Sequence, residues 1–186
     1  MKIFKIILLN LIFFKIVFCQ EWVNFVGYSN QNCSGTGILA IMKTNECIGH
    51  SKYMCDEKTT INKQYAYNDC VKEYNYKTNE NNQCSDKGFT TSCTKTVNLP
   101  KMSYIIAMHK NTSLGCSDES IILYNTIPLG ICDSGKIYTS CNSGGTVSFE
   151  IYKDYECNEL TNTVEEPIGC HFVDSSDSYL INTFCT

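Results

Sequence analysis

Thr146-Val147-Ser148-Phe149-Glu150-Ile151-Tyr152, followed after four residues by Cys157, is the stretch from which the fold is read. Val147, Phe149 and Ile151 alternate with Ser148, Glu150 and Tyr152. That period of two puts one face of a strand in a core and the other in water. Similar aromatic and β-branched stretches precede a cysteine at Trp22 to Tyr28, Thr60 to Tyr67 and Tyr104 to Met108. Each opens a unit of three cysteines spaced by roughly fourteen and nine residues: Cys33, Cys47, Cys55; Cys70, Cys84, Cys93; Cys116, Cys132, Cys141; and Cys157, Cys170, Cys185. A second strand-like stretch leads into each third cysteine, at Lys52 to Cys55, Phe89 to Cys93, Lys136 to Cys141 and Tyr179 to Cys185. Ile38 to Met42 and Ile121 to Tyr124 add further apolar segments of strand length. Turn-formers such as Asp133-Ser134-Gly135 separate them, and no segment carries sustained helical spacing.

Three is odd, so three cysteines cannot all pair within one repeat. If all twelve are oxidised, some bonds must cross between repeats, and two repeats make the smallest closed set. The expected architecture is all-β and disulfide-rich: two Greek-key or sandwich-like domains built from four three-cysteine repeats. The expected boundaries are a signal peptide at 1–19, a first β domain at 20–97 and a second at 98–186. The boundary falls in the stretch Thr94 to Ser103, which holds Pro100. A single four-repeat domain is the alternative. Domains this small bury little core, so crosslinks supply much of their stability.

The compartment is read from the N-terminus. Lys2 and Lys5 precede an apolar run from Ile6 to Phe14, and Val17 and Cys19 stand at cleavage offsets ahead of Gln20. The run is short and interrupted for a membrane-spanning helix, which needs about 20 apolar residues. Cleavage after Cys19 leaves twelve cysteines of thirteen, an even set suited to an oxidising, extracellular compartment. It also removes Lys2, Lys5 and Lys15, which moves the net charge from −4 to −7. An acidic chain without arginine argues against nucleic acid as a partner and excludes arginine-based phosphate clamps. No second apolar stretch reaches membrane length, so stable membrane insertion is not expected. Asn32-Cys33-Ser34 and Asn111-Thr112-Ser113 are glycosylation acceptors by sequence, with Asn111 the better placed in a polar turn.

Chemistry is sparse. Cys47 and Cys55, eight residues apart, are the closest cysteines, so no zinc knuckle exists. An even cysteine count leaves no free thiol as nucleophile. His50, His109 and His171 read as surface or turn residues, and no Gly-x-Ser-x-Gly elbow is present. Carboxylate pairs such as Asp56-Glu57, Asp118-Glu119, Asp154 with Glu156, and Glu165-Glu166 fall mostly in expected turns. Asp174-Ser175-Ser176-Asp177-Ser178 offers oxygens for calcium but lacks the glycine and distal glutamate of an EF-hand loop. The reading therefore assigns no catalytic residue, no metal site and no cofactor. Tyr65, Tyr67, Tyr74 and Tyr76 flank Cys70 with Lys63, Lys72 and Lys77 interleaved. They are the candidate ligand-binding residues, because tyrosine pairs an apolar ring with a hydroxyl; cross-strand packing in a small core is the alternative.

Two resemblances add to this. Tyr28, Cys33 and Gly35 have the spacing of the Greek-key motif of βγ-crystallins, which implies four such motifs in two domains. Lys72 and Glu159 replace the glycine in the second and fourth repeats, and Asn111 and Asp118 replace both positions in the third. The calcium signature of that family is not found before the third cysteines. The whole chain, with Tyr-x4-Cys-Ser-Gly-Thr and paired three-cysteine repeats rich in asparagine and lysine, resembles small secreted cysteine-rich proteins of social amoebae. That resemblance implies an extracellular role and brings no catalytic residues. The expected function is a secreted, non-enzymatic binding module for an extracellular protein or glycan. An inhibitor or toxin-like protein and a cell-wall glycan hydrolase are the alternatives.

Overall fold

The structure, a computed structural model, describes residues 22–172 and 179–186. The expected signal peptide, Cys19 and the Asp174–Ser178 oxygens lie outside the described residues. Among the described residues every regular element is a strand, apart from one 3-10 turn at Asp118–Ser120. The fold is all-β and disulfide-rich.

Each repeat has the same plan. Repeat one contains β1 (Trp22–Tyr28), β2 (Gly37–Lys43), the short β3 (Cys47–Ile48) and β4 (Ser51–Cys55). Repeat two has β5 (Thr59–Tyr65), β6 (Glu73–Glu80) and β7 (Phe89–Thr94). Repeat three has β8 (Ser103–Lys110), β9 (Ile121–Pro128), the short β10 (Cys132–Asp133) and β11 (Lys136–Asn142). Repeat four has β12 (Thr146–Tyr152), β13 (Leu160–Pro167), β14 (Gly169–Phe172) and β15 (Tyr179–Cys185). β6 and β13 are mostly polar and were not foreseen as strands. Neither shows a regular apolar alternation, because both are exposed edges of their sheets.

The turn after each first strand explains the Tyr-x4-Cys spacing. Cys33, Cys70 and Cys157 adopt positive φ of 53°, 54° and 58°. Each donates its backbone N–H to the carbonyl three residues back: Asn30, Tyr67 and Asp154. In repeat three the turn sits one residue earlier, and Gly115 takes the left-handed position at φ 58°. That shift is why the third repeat lacks the motif.

Repeats exchange their third strands. β4 pairs with β5 of the next repeat, and β7 returns to pair with β1. The same exchange places β11 beside β12 and β15 beside β8. Cysteines pair accordingly. In the first half the bonds are Cys33–Cys84, Cys47–Cys70 and Cys55–Cys93; in the second they are Cys116–Cys170, Cys132–Cys157 and Cys141–Cys185. The first cysteine of one repeat meets the second of its partner, reciprocally, and the third meets the third. An odd set resolves in this way when two repeats are related by a local two-fold axis, because the self-paired member lies at the axis.

A second pseudo-dyad joins the halves. β2 and β9 pair antiparallel, with Ile41 opposite Tyr124. This makes one seven-stranded sheet in the order β14-β15-β8-β9-β2-β1-β7. Val23, Met42, Leu123 and Met108 form a row across it and so share a face. Met42, Ile122 and Leu123 pack there with Ile48 and Tyr53 of the first four-stranded sheet, β3-β4-β5-β6. Tyr104, on the same face as Met108, stacks at 4.8 Å on Tyr138 of the second four-stranded sheet, β10-β11-β12-β13. Both small sheets thus cover one face of the large one as a sandwich. The connection from β7 to β8, holding Pro100, crosses the opposite face. There Val97 and Leu99 pack on Trp22, Ile41 and Ile121.

Candidate functional site

The tyrosine-rich stretch of repeat two lies on the first four-stranded sheet. Tyr65 ends β5 and is only 7% exposed, with Lys52 Nζ 5.7 Å from its ring centroid. Tyr67 stands beyond the strand, in the turn leading to Cys70, and is 60% exposed. Tyr74 and Tyr76 sit on the edge strand β6, each 65% exposed. Tyr76 is directly opposite Lys63, which binds Glu73 at 2.9 Å. Alternation puts Lys52, Lys63 and Tyr76 in one cross-strand row, and Met54, Ile61 and Thr78 in the next row on the same face. That face looks away from the seven-stranded sheet. Met54 is 37% exposed there, and Val71, 76% exposed, stands in the turn before β6. The four tyrosines are therefore divided: Tyr65 is a packing residue beneath Lys52, while Tyr67, Tyr74 and Tyr76 are presented to solvent.

The other face of this sheet lines a cavity of about 400 Å³ against the seven-stranded sheet. Phe25 and Phe89 stack at 4.6 Å on one side. Asn62, Gln64 and Asn79 line the opposite side, while Lys77, Asp86 and Lys87 are exposed at its mouth. The Asn62 amide nitrogen donates to the Tyr53 hydroxyl at 3.4 Å. Its Oδ1, and Oγ1 of Thr91, are shut off from solvent without a hydrogen-bond partner. Burial raises the Tyr53 hydroxyl pKa above its ordinary value. Of the cavity residues, Lys77 was named from sequence beside the tyrosines, and none was singled out as lining a pocket. The available sign was in β5, whose inward positions read Thr60, Asn62 and Gln64 where β12 has Val147, Phe149 and Ile151.

The titratable candidates are scattered. His109 is wholly buried on β8, a correction to the surface reading; strand alternation puts it on the face of Ile105 and Ala107, which are also fully buried. Its Nδ1 lies 2.9 Å from Ser120 Oγ and 3.1 Å from the Ser117 carbonyl. Burial holds its pKa below the usual imidazole value. His50 and His171 are exposed. Asp56 accepts backbone N–H bonds from Lys58 and Thr59, which lower its pKa. Asp154 does the same for Asn158, Glu159 and Glu156. These two carboxylates are turn staples. Glu165 and Glu166 lie in β13, not in a turn, and Glu165 accepts from Ser148 Oγ at 3.2 Å. No group of three His, Cys, Asp or Glu side chains suited to a metal occurs among the described residues.

Asn32 and Asn111 both lie exposed in turns. Asn32 Oδ1 accepts from Ser34 Oγ at 2.7 Å. No helix among the described residues is long and apolar enough to cross a membrane.

Comparison with known proteins gives one positive finding. The model of a family described as counting factor-associated protein A/B/C matches residues 1–185. A search of curated proteins returned no match. A search of solved structures also returned none, so the βγ-crystallin resemblance gains no support from that side.

Proposed function

The chain belongs to the counting factor-associated protein A/B/C family, and from that premise we propose that it is an extracellular, non-enzymatic binding module. It docks a protein partner through the outer face of β5 and β6. A protein partner is supported by the family description, counting factor-associated, which names a factor that the family's members associate with. The surface follows from one observation: Tyr67, Val71, Tyr74 and Tyr76 are all at least 60% exposed within ten residues. Contiguous exposed apolar side chains rimmed by charge mark protein docking sites, and tyrosine is enriched in them. Lys52, Lys63 and Lys72 supply the rim.

Three disulfides tie the loops of this half, so the surface is held rigid before binding and little ordering entropy is lost on contact. Glycans on Asn32 and Asn111 belong to the same proposal. The test is co-precipitation from conditioned medium of cells expressing the tagged chain. A Tyr67→Ser/Tyr74→Ser/Tyr76→Ser variant should lose specific partners that wild type retains. Retention of every partner by the triple variant would refute the assignment of this face.

A further inference from the structure

The two small sheets superpose by their ladders. Tyr53, Asn62 and Lys77 form one inward row in the first half. Tyr138, Phe149 and Val164 form the matching row in the second. On either side, Thr60 and Gln64 correspond to Val147 and Ile151. In the second half this layer is a packed core: Tyr138 lies 4.8 Å from Tyr104 and 5.3 Å from Phe149, and Val147 is fully buried. Burial pushes the Tyr138 hydroxyl up to about 12. In the first half Tyr53 keeps the place of Tyr138, but Thr60, Asn62, Gln64 and Lys77 stand where the second half has Val147, Phe149, Ile151 and Val164, and a cavity of about 400 Å³ lies there.

Polar residues at core positions destabilise a fold unless something satisfies them. Asn62 Oδ1 and Thr91 Oγ1 are closed off without a partner, which marks this layer as polar; they are not the atoms that a ligand in the open cavity reaches. We infer that the inter-sheet cavity of the first half is a binding site for a single sugar residue. The stacked Phe25 and Phe89 rings offer an apolar wall for the C–H face of a pyranose. Facing them stand the amides of Asn62, Gln64 and Asn79: Asn62 Nδ2 is taken by Tyr53 and Gln64 Oε1 by Asn75 Nδ2, while Gln64 Nε2 and the Asn79 amide offer donors and an acceptor to adjacent hydroxyls. The volume is at the small end of ligand pockets, about 300–1,000 Å³. Lys77, Asp86 and Lys87 put both signs of charge at the mouth, which selects against a simple ion. The site is independent of the tyrosine face, which lies on the opposite side of the same sheet.

The test is saturation-transfer NMR and calorimetry on the full chain with glucose, galactose, mannose, fucose and N-acetylglucosamine. At least one should bind saturably with Kd of about 1 mM or tighter. The variant Asn62→Phe/Lys77→Val gives the first half the side chains of the second. It should melt at a higher temperature than wild type and bind at least about tenfold more weakly, as expected when a polar site is replaced. If that variant does not fold, Gln64→Ala/Asn79→Ala should show the same loss. No saturable binding to any of the five sugars, or binding unchanged in the folded variants, would overturn the inference.

Discussion

Removing the bond between the two exchanged strands, by Cys55→Ala/Cys93→Ala, perturbs the first half at its local axis. The bond closes a sequence separation of 38 residues. Chain-entropy bookkeeping for a loop of that length gives about 3.9 kcal/mol at 25 °C. With Cys33–Cys84 and Cys47–Cys70 retained, the shortest covalent path between the two sites is only slightly shorter, so the figure stays near 4 kcal/mol. No polar penalty adds to it, because Thr60 Oγ1, beside the bond, keeps its hydrogen bond to Asn81 Oδ1 at 2.8 Å. For a chain of this size each kcal/mol shifts Tm by about 2–4 °C, so the midpoint should fall by about 8–16 °C. Scanning calorimetry at neutral pH measures this, with mass spectrometry verifying that the other five bonds are intact. A fall of less than about 3 °C would refute the reasoning, since packing alone would then be holding the two sheets together.

The seam between the halves is tested by Ile41→Ala. Ile41 is fully buried opposite Tyr124, so truncation should cost about 2–5 kcal/mol in denaturant titration. Gly88→Ala should also destabilise, because its φ is +72° and a Cβ would come 2.5 Å from the Asn30 carbonyl oxygen; thermal melts read the loss. His109 has a folded pKa depressed below 6.5, so its contribution is complete above that pH and lost as the pH falls toward the folded value. Wild type should therefore lose stability between pH 7.5 and pH 5.5 by at most about 1.4 kcal/mol per pH unit from this group, and His109→Gln should flatten that part of the profile. Asn111→Gln should increase the electrophoretic mobility of the chain secreted from a eukaryotic host if the exposed Asn111 carries a glycan.

Most first and third strands were legible because each presents apolar side chains at a period of two. β1, β12 and β15 match their expected limits residue for residue. β6 and β13 were not, because an exposed edge strand gains from ladder hydrogen bonds and needs no apolar face. The odd cysteine count correctly required bonds across repeats, yet it could not give the pairing, which depends on the exchange of β4 and β7. The same exchange created the cavity, so its lining could not be assembled from spacing alone. Tyr65 and Tyr67 looked equivalent in sequence; β5 ends between them, and one is buried while the other is exposed. His109 was misread because the face it shares with Ile105 and Ala107 is also covered, with Ser117 and Ser120 folded back against its ring, which the residue pattern does not reveal.

Both sites rest on four repeats joined two by two about a local axis. Peptide mapping of the non-reduced protein tests this most directly. The account predicts Cys33–Cys84, Cys47–Cys70 and Cys55–Cys93 in the first half, repeated as Cys116–Cys170, Cys132–Cys157 and Cys141–Cys185 in the second. A bond between two cysteines of one repeat, such as Cys47 with Cys55, or any bond from residues 33–93 to residues 116–185, would contradict it.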